Sequence, residues 1–67
     1  MTTPLFYAPH VSALENGSFI KAKLVRGKME LARFINGDFM GYDDSIPADW
    51  KCFDKKTAFQ YIPKSIR

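Results

Sequence analysis

The sequence is short of several residue types on which small proteins commonly depend. Its 67 residues include one cysteine, Cys52, and one histidine, His10. A single cysteine cannot close an intramolecular disulfide, and small secreted domains usually carry several, so we expect a cytoplasmic protein. The chain has no basic leader followed by an apolar run and no stretch of about 18 apolar residues. We therefore expect neither a signal peptide nor a membrane span.

The residues needed for catalysis or cofactor binding are equally sparse. A cysteine nucleophile requires a base within hydrogen-bond reach, and nothing places His10 beside Cys52, which we expect to be a small buried hydrophobe. The four glycines are scattered and form no phosphate-binding loop. The aspartates recur without the spacing of a calcium or zinc site. We therefore predict a protein that is not an enzyme and that has no metal and no cofactor.

Aromatic residues, by contrast, are abundant. They make up 15% of the chain, and the net charge is only +3. A chain of this length buries roughly 60% of the surface that its unfolded form exposes, so its core has to be dense. We expect residues 1–67 to form a single domain with a surface of mixed charge.

The segment from Phe19 to Asp43 predicts an antiparallel meander. Residues 19–26 alternate with a period of two, and Asn36-Gly37 is a strong signal for a type I′ hairpin turn. That turn sets Phe34 opposite Phe39, and it sets Glu30 opposite Asp43. Facing like charges cost stability, so Glu30 and Asp43 indicate either a frayed strand end or an acidic surface for a basic partner.

The preceding turn can be built in two ways. A two-residue Gly27-Lys28 loop pairs Leu24 with Leu31, whereas a three-residue loop sets Lys21 opposite Arg33. Because facing like charges are destabilising, we expect the two-residue loop.

The meander then has two unlike faces. The first is an ordinary core face, formed by Ile20, Leu24, Leu31, Ile35, Met40 and Tyr42. The second is aromatic and basic, formed by Phe19, Lys21, Lys23, Ala32, Phe34, Phe39 and Gly41. We expect Phe34 and Phe39 to be buried, with the lysines at the rim. If that face is exposed, Lys21, Lys23, Phe34 and Phe39 have the chemistry of a site for single-stranded nucleic acid.

The flanking segments complete the predicted fold. Leu5 to Tyr7 reads as a short edge strand, residues 46–53 as a short helical turn, and residues 57–62 as a further strand ended by Pro63. The fold class is mainly β, a β-rich α+β protein. Its core is a small antiparallel meander of three to four strands that can curl into a half-barrel.

Three motifs resemble a family of small phage- and prophage-encoded domains of unknown function. These are V-S-A-L-E-N-G at residues 11–17, L-A-R-F-I-N-G-D-F at residues 31–39 and F-Q-Y-I-P-K-S at residues 59–65. The family has the pattern V-S-x-x-L-x-x-G, then A-x-F-x-x-G-x-F, and a closing H-W-x-P-L-P. The chain departs from that pattern in several places. It lacks the family's opening tryptophan, and it has Leu14-Glu15 where the family has Leu-Pro, with one residue fewer before the leucine. It also has Gln60-Tyr61 in place of His-Trp and Lys64-Ser65 in place of the closing Leu-Pro. The resemblance implies a small accessory protein of a bacteriophage, acting in the host cell.

The sequence therefore predicts a non-catalytic protein that binds a host protein and redirects or inhibits it, host defence machinery included. The expected anchors are the aromatic residues least firmly assigned to the core, Phe6, Tyr7, Trp50 and Tyr61. Two alternatives stay open: a small basic binder of single-stranded nucleic acid, and a self-associating structural or virion component. We expect a monomer or a homodimer that does not contact membranes.

Overall fold

The alternating segments of the sequence form the centre of one antiparallel sheet. The structure, a computed structural model, describes residues 3–66. In chain order its elements are β1 (Leu5–Ala8), α1 (Val11–Glu15), β2 (Phe19–Val25), β3 (Lys28–Ile35), β4 (Asp38–Tyr42), β5 (Lys51–Phe53), α2 (Lys55–Tyr61) and a 3-10 helix (Lys64–Ile66). The five strands are ordered β4-β3-β2-β1-β5. The predicted fold class, mainly β with an antiparallel sheet, is confirmed, and the sheet is open.

Both hairpins of the meander close through two-residue turns with positive φ. Asn36 and Gly37 have φ of 53° and 84°, as a type I′ turn requires, and Phe34 pairs with Phe39 as predicted. The other turn is Arg26-Gly27, with φ of 53° and 79°.

The predicted Gly27-Lys28 loop is therefore wrong. Leu24 pairs with Met29, not with Leu31. This register places Lys23 opposite Glu30, so a pair of unlike charges faces across the strands. The observed register differs from the predicted one by two residues. Because side chains alternate with a period of two, the side chains of β2 and β3 still lie on the predicted faces of the sheet.

A β-bulge in β4 changes the outer end of the meander. Ala32 pairs with Tyr42, but Phe34 pairs with Phe39, so β4 has an extra residue in this interval. Gly41, in the bulge, has a φ of 105°. The bulge turns Tyr42 onto the face of Phe39, and the prediction that Tyr42 lies on the core face opposite Leu31 is wrong.

The bulge also removes the predicted contact of Glu30 with Asp43. The backbone N–H of Asp43 donates to the carbonyl of Leu31. The Asp43 carboxylate accepts a hydrogen bond from Nη1 of Arg33 at 2.8 Å. Asp43 is therefore held by an opposite charge.

The segments around the meander differ more from the predictions. The predicted strand at residues 57–62 is wrong, because these residues lie in helix α2 and at its C-terminal end. The carboxylate of Asp54 accepts a hydrogen bond from the backbone N–H of Thr57 at 2.7 Å and so caps the helix. Ala58 and Ile62, four residues apart, are both buried. Within residues 46–53, one turn bonded from Trp50 to Pro47 leads into strand β5 instead of a longer helical segment.

Both faces of the sheet are covered, but unequally. The helices cover one face over the cluster Phe6, Ala8, Ala13, Leu14, Phe19, Ala58 and Ile62. On the other face, Tyr7, Ile46 and Trp50 cover a smaller cluster of Ile20, Ala22 and Leu31. We call these the helix face and the loop face. Strand β1 pairs with β2 and β5, so it lies inside the sheet and is not the predicted edge strand.

Two glycines allow three chain segments to meet at one point. The N–H of Gly37, in the β3–β4 turn, donates to the carbonyl of Gly17, in the α1–β2 turn, at 3.1 Å. A Cβ added at Gly17 would lie 2.5 Å from Cδ1 of Ile66 and 2.6 Å from the nitrogen of Gly37. Ile66 of the C-terminal 3-10 helix thus packs against both turns at their glycine positions, where there is no side chain.

Alanine substitutions can separate backbone strain from this close packing. Gly17 and Gly27 both have positive φ, but a Cβ at Gly27 meets nothing within 4 Å. We expect Gly27→Ala to cost the left-handed strain alone, roughly 1–2 kcal/mol of unfolding free energy. Gly17→Ala should cost roughly 1–3 kcal/mol more through overpacking. Denaturant unfolding measures both, and equal losses would contradict the close-packing argument.

The cap of α2 predicts a pH dependence. The hydrogen bonds from Thr57 hold the pKa of the Asp54 carboxyl below its usual value. This contribution to stability is present above the unfolded pKa of about 4 and is lost as pH falls through the folded pKa. We expect Asp54→Ala to lower the melting temperature at neutral pH, and Asp54→Asn, which keeps the acceptor oxygen, to lower it less. A constant difference between wild type and Asp54→Ala from pH 7 to pH 2 would contradict this assignment.

Candidate protein-binding surface

A row of aromatic rings crosses the helix face from the core to the sheet edge. Phe6 contacts Phe19 with ring centroids 5.5 Å apart, and Phe19 stacks on Phe34 at 5.1 Å. Phe34 contacts Phe39 at 5.7 Å, and Phe39 contacts Tyr42 at 5.3 Å. The exposed fraction is 2% at Phe6, 53% at Phe39 and 66% at Tyr42. The row therefore begins in the core and ends in solvent.

Phe34 and Phe39 occupy different positions along this row. Phe34 is half-buried and packs against the main core cluster, so its predicted burial is confirmed only in part. Phe39 is exposed, and its predicted burial is wrong. The physical reason is coverage: α1 and α2 lie over Phe6 and Phe19, while the outer strand β4 has β3 as its one neighbour in the sheet.

Phe39, Met40, Tyr42 and the adjacent Ile35 form an exposed apolar surface at β4, which we call the β4 edge surface. Met40 is 58% exposed and Ile35 is 40% exposed. Side chains alternate along a strand, so Met40 and Ile35 lie on the loop face and Phe39 lies on the helix face. Among residues 3–66, no strand pairs with the outer side of β4. An exposed apolar patch along an unpaired edge is typical of an interaction site.

The charge around this edge is opposite to that of the rest of the chain. Residues 38–50 contain four aspartates and no lysine or arginine, giving −4, and the remaining residues give +7, for a total of +3. Within residues 3–66 one ion pair forms, between Arg33 and Asp43. Asp38, Asp44 and Asp49 are exposed to solvent. The β4 edge surface is therefore apolar with acidic ends.

The predicted protein-binding residues do not form one surface. Phe6 is 2% exposed and lies in the main core, so its prediction as an exposed anchor is wrong. Tyr7 and Trp50 are half-buried on the loop face, and Tyr61 is 37% exposed on α2. These positions are divided between the two faces.

Sequence reasoning placed two of the exposed anchors, Met40 and Tyr42, on the core face. The alternating pattern assigns each side chain to a face of the sheet, but it does not indicate which strand lies at the sheet edge. Their exposure therefore had no local signal in the sequence.

The four residues of the alternative nucleic-acid site lie on one face of the sheet. Lys21 pairs with Ala32, Phe19 pairs with Phe34, and Phe34 pairs with Phe39, so all of these side chains point to the helix face. Lys23 is exposed and Lys21 is half-buried. The structure therefore brings Lys21, Lys23, Phe34 and Phe39 onto a common face.

The residues considered for catalysis lie in ordinary surroundings. Cys52 is exposed on the edge strand β5, so its predicted burial is wrong. It pairs with Tyr7, and a side-chain hydrogen bond between the two, with partial burial, raises the pKa of Tyr7. His10, just before α1, contacts the hydroxyl of Ser12 through Nδ1. That the chain is not an enzyme stays a prediction.

Within residues 3–66, no group of three or more His, Cys, Asp or Glu side chains is arranged to hold a metal ion. In the same part of the chain, no helix has the length and apolar character needed to cross a membrane. Comparison with known proteins adds no assignment: no protein-family model, curated protein or solved structure matches the chain. The resemblance to phage-encoded domains therefore stays a prediction.

The exposed end of the aromatic row can be separated from its buried end by truncation. Phe34 contacts both Phe19 and Phe39, so Phe34→Ala should lower the unfolding free energy by about 3 kcal/mol, the low end for a buried phenylalanine. Phe39→Ala should cost about 1 kcal/mol, mostly the lost ring contacts. Denaturant unfolding followed by tryptophan fluorescence measures both. Equal losses would show that Phe39 belongs to the core.

Proposed function

We propose that this chain is a non-catalytic protein that binds another protein through the β4 edge surface. The observation that carries the proposal is the exposure of Phe39, Met40 and Tyr42, at 53%, 58% and 66%, on a strand without an outer neighbour. Aromatic side chains are common anchors of protein interfaces, and methionine adapts to irregular partner surfaces.

Chain length strengthens this reasoning. A domain of 67 residues has little apolar surface to spare for anything other than its core. Here two aromatic rings and a methionine stay outside the core, next to each other on a single strand. A partner that covers them would recover the apolar burial that the fold itself leaves unused.

The motifs that resemble phage-encoded domains suggest a biological setting for the proposal. In that setting the chain is a phage accessory protein that binds a host protein in the host cell and redirects or inhibits it, with host defence proteins among the candidate targets. This part of the proposal is supported by the three short motifs at residues 11–17, 31–39 and 59–65.

One observation favours a second candidate, a binder of single-stranded nucleic acid. Lys21 and Lys23 share the helix face with Phe34 and Phe39, and stacking on exposed rings is worth roughly 1–3 kcal/mol per base. Two observations weigh against it. Glu30 lies opposite Lys23, and the strand that carries Phe39 belongs to the acidic segment 38–50.

A capture experiment tests the proposal and distinguishes the two candidates. Tagged protein is incubated with bacterial lysate, with and without nuclease, and the eluate is identified by mass spectrometry. We expect a stoichiometric protein that survives nuclease treatment and is lost with Phe39→Ala or Tyr42→Ala. Once the partner is purified, each variant should weaken binding by about 2 kcal/mol or more, as interface hot spots do.

The two exposed methionines supply a matched control. Met40 and Met29 are 58% and 57% exposed, but Met29 lies near the β2–β3 turn, away from the β4 edge surface. Met40→Ala should weaken capture, and Met29→Ala should not. A capture that disappears with nuclease, falls steeply with salt and is abolished by Lys21→Glu with Lys23→Glu would instead establish the nucleic-acid candidate.

A further inference from the structure

The proposed protein-binding function leaves open what kind of partner surface fits β4. We propose that the partner supplies an extended segment that pairs with β4 as a sixth strand, apolar at its centre and carrying lysine or arginine at both ends. This inference rests on the proposed function and adds the binding mode and the chemistry of the partner.

The first argument comes from the backbone. Within the described range 3–66, strand β4 is at the edge of the sheet and pairs with β3 alone. The outer backbone groups of an edge strand are a template for one more strand, and strand addition is a recurrent mode of peptide recognition. The other edge strand, β5, has only the three residues Lys51–Phe53 and offers a shorter template.

The second argument comes from the side chains that a sixth strand would contact. On the helix face it would meet Phe39 and Tyr42, whose rings lie 5.3 Å apart. On the loop face it would meet Met40, at 58% exposure. A strand that covers β4 on both faces requires apolar side chains on both of its own faces near the centre.

The third argument comes from charge. Strand β4 begins with Asp38 and is followed by Asp43 and Asp44. Arg33 neutralises Asp43 at 2.8 Å, while Asp38 and Asp44 are exposed. Both ends of the edge therefore present a carboxylate, and a cation at each end of the incoming strand complements them in either strand direction.

The same charges disfavour a second copy of this chain as the occupant. In an antiparallel pair of β4 strands, Asp38 of one copy faces the end of the other copy, where Asp43 and Asp44 lie. In a parallel pair, Asp38 lies beside Asp38. Facing like charges are destabilising in either arrangement.

A peptide pair tests the inference directly. The probe is a labelled peptide with consecutive valines at its centre, so that both faces are apolar, and a lysine pair at each end, and its control carries glutamates in place of the lysines. We expect the lysine peptide to bind the full-length protein at least about tenfold more tightly than the glutamate peptide at low salt. We also expect its amide NMR shift changes to be confined to residues 38–42 and their partners on β3.

Charge reversal supplies matched variants. Asp38→Lys leaves one basic and one acidic end, so it should abolish the preference for the lysine peptide. Glu15→Lys, an equal change in charge at an exposed position on α1, should leave the preference unchanged. Both substitutions are at exposed positions, so both variants should fold.

Three outcomes would overturn the inference. The first is binding of neither peptide at millimolar concentration. The second is binding that leaves the amides of residues 38–42 unchanged. The third is concentration-dependent dimerisation through β4, measured by sedimentation, which would show that a second copy of the chain occupies the β4 edge. If a captured protein still depends on Phe39 and Tyr42 but does not protect the β4 amides from hydrogen exchange, the proposed function stands and strand addition fails.

Discussion

The antiparallel pairing of β2 with β3 is the constraint on which the rest of the structure depends. The Arg26-Gly27 turn fixes this register, because both residues adopt the positive φ of a type I′ turn. Once the register is set, alternation places Phe19 and Phe34 on the helix face and Ile20 and Leu31 on the loop face. The helices then complete the core cluster on the helix face, and the loop with Ile46 and Trp50 completes the cluster on the loop face.

Unequal coverage of that sheet is what gives the molecule a free surface. Within residues 3–66, two short α-helices, the C-terminal 3-10 helix and one loop cover β1, β2 and the near part of β3. They do not extend over β4, so the aromatic row continues past the core and ends on Tyr42. The β4 edge surface is therefore the part of the sheet that the described helices and loop leave uncovered.

The sequence allowed prediction of the parts of the fold that depend on local signals. Alternation over residues 19–26 and the Asn36-Gly37 turn predicted the meander and the pairing of Phe34 with Phe39. The helix at residues 55–61 was missed, because T-A-F-Q-Y-I contains β-branched and aromatic residues typical of strands, while the deciding contact is the Asp54 cap. The bulge that moves Tyr42 to the helix face is a feature of the β3–β4 pairing, and no local sequence pattern predicts it. For the candidate site, chemistry was easier to predict than exposure: the aromatic and basic face was recognised, but which of its rings stay uncovered depends on the packing of distant segments.

The contact of Ile66 with Gly17 and Gly37 bears on the order in which parts of the domain can assemble. It joins the α1–β2 turn and the β3–β4 turn to a segment that is distant in the sequence. The hairpins form from contacts that are close in sequence, whereas a contact between distant segments has a larger loop-closure cost and forms more slowly. Until the Ile66 contact forms, β4 is held by β3 and its turn. The strand with the most exposed apolar surface is thus among the last parts of the domain to become fully anchored.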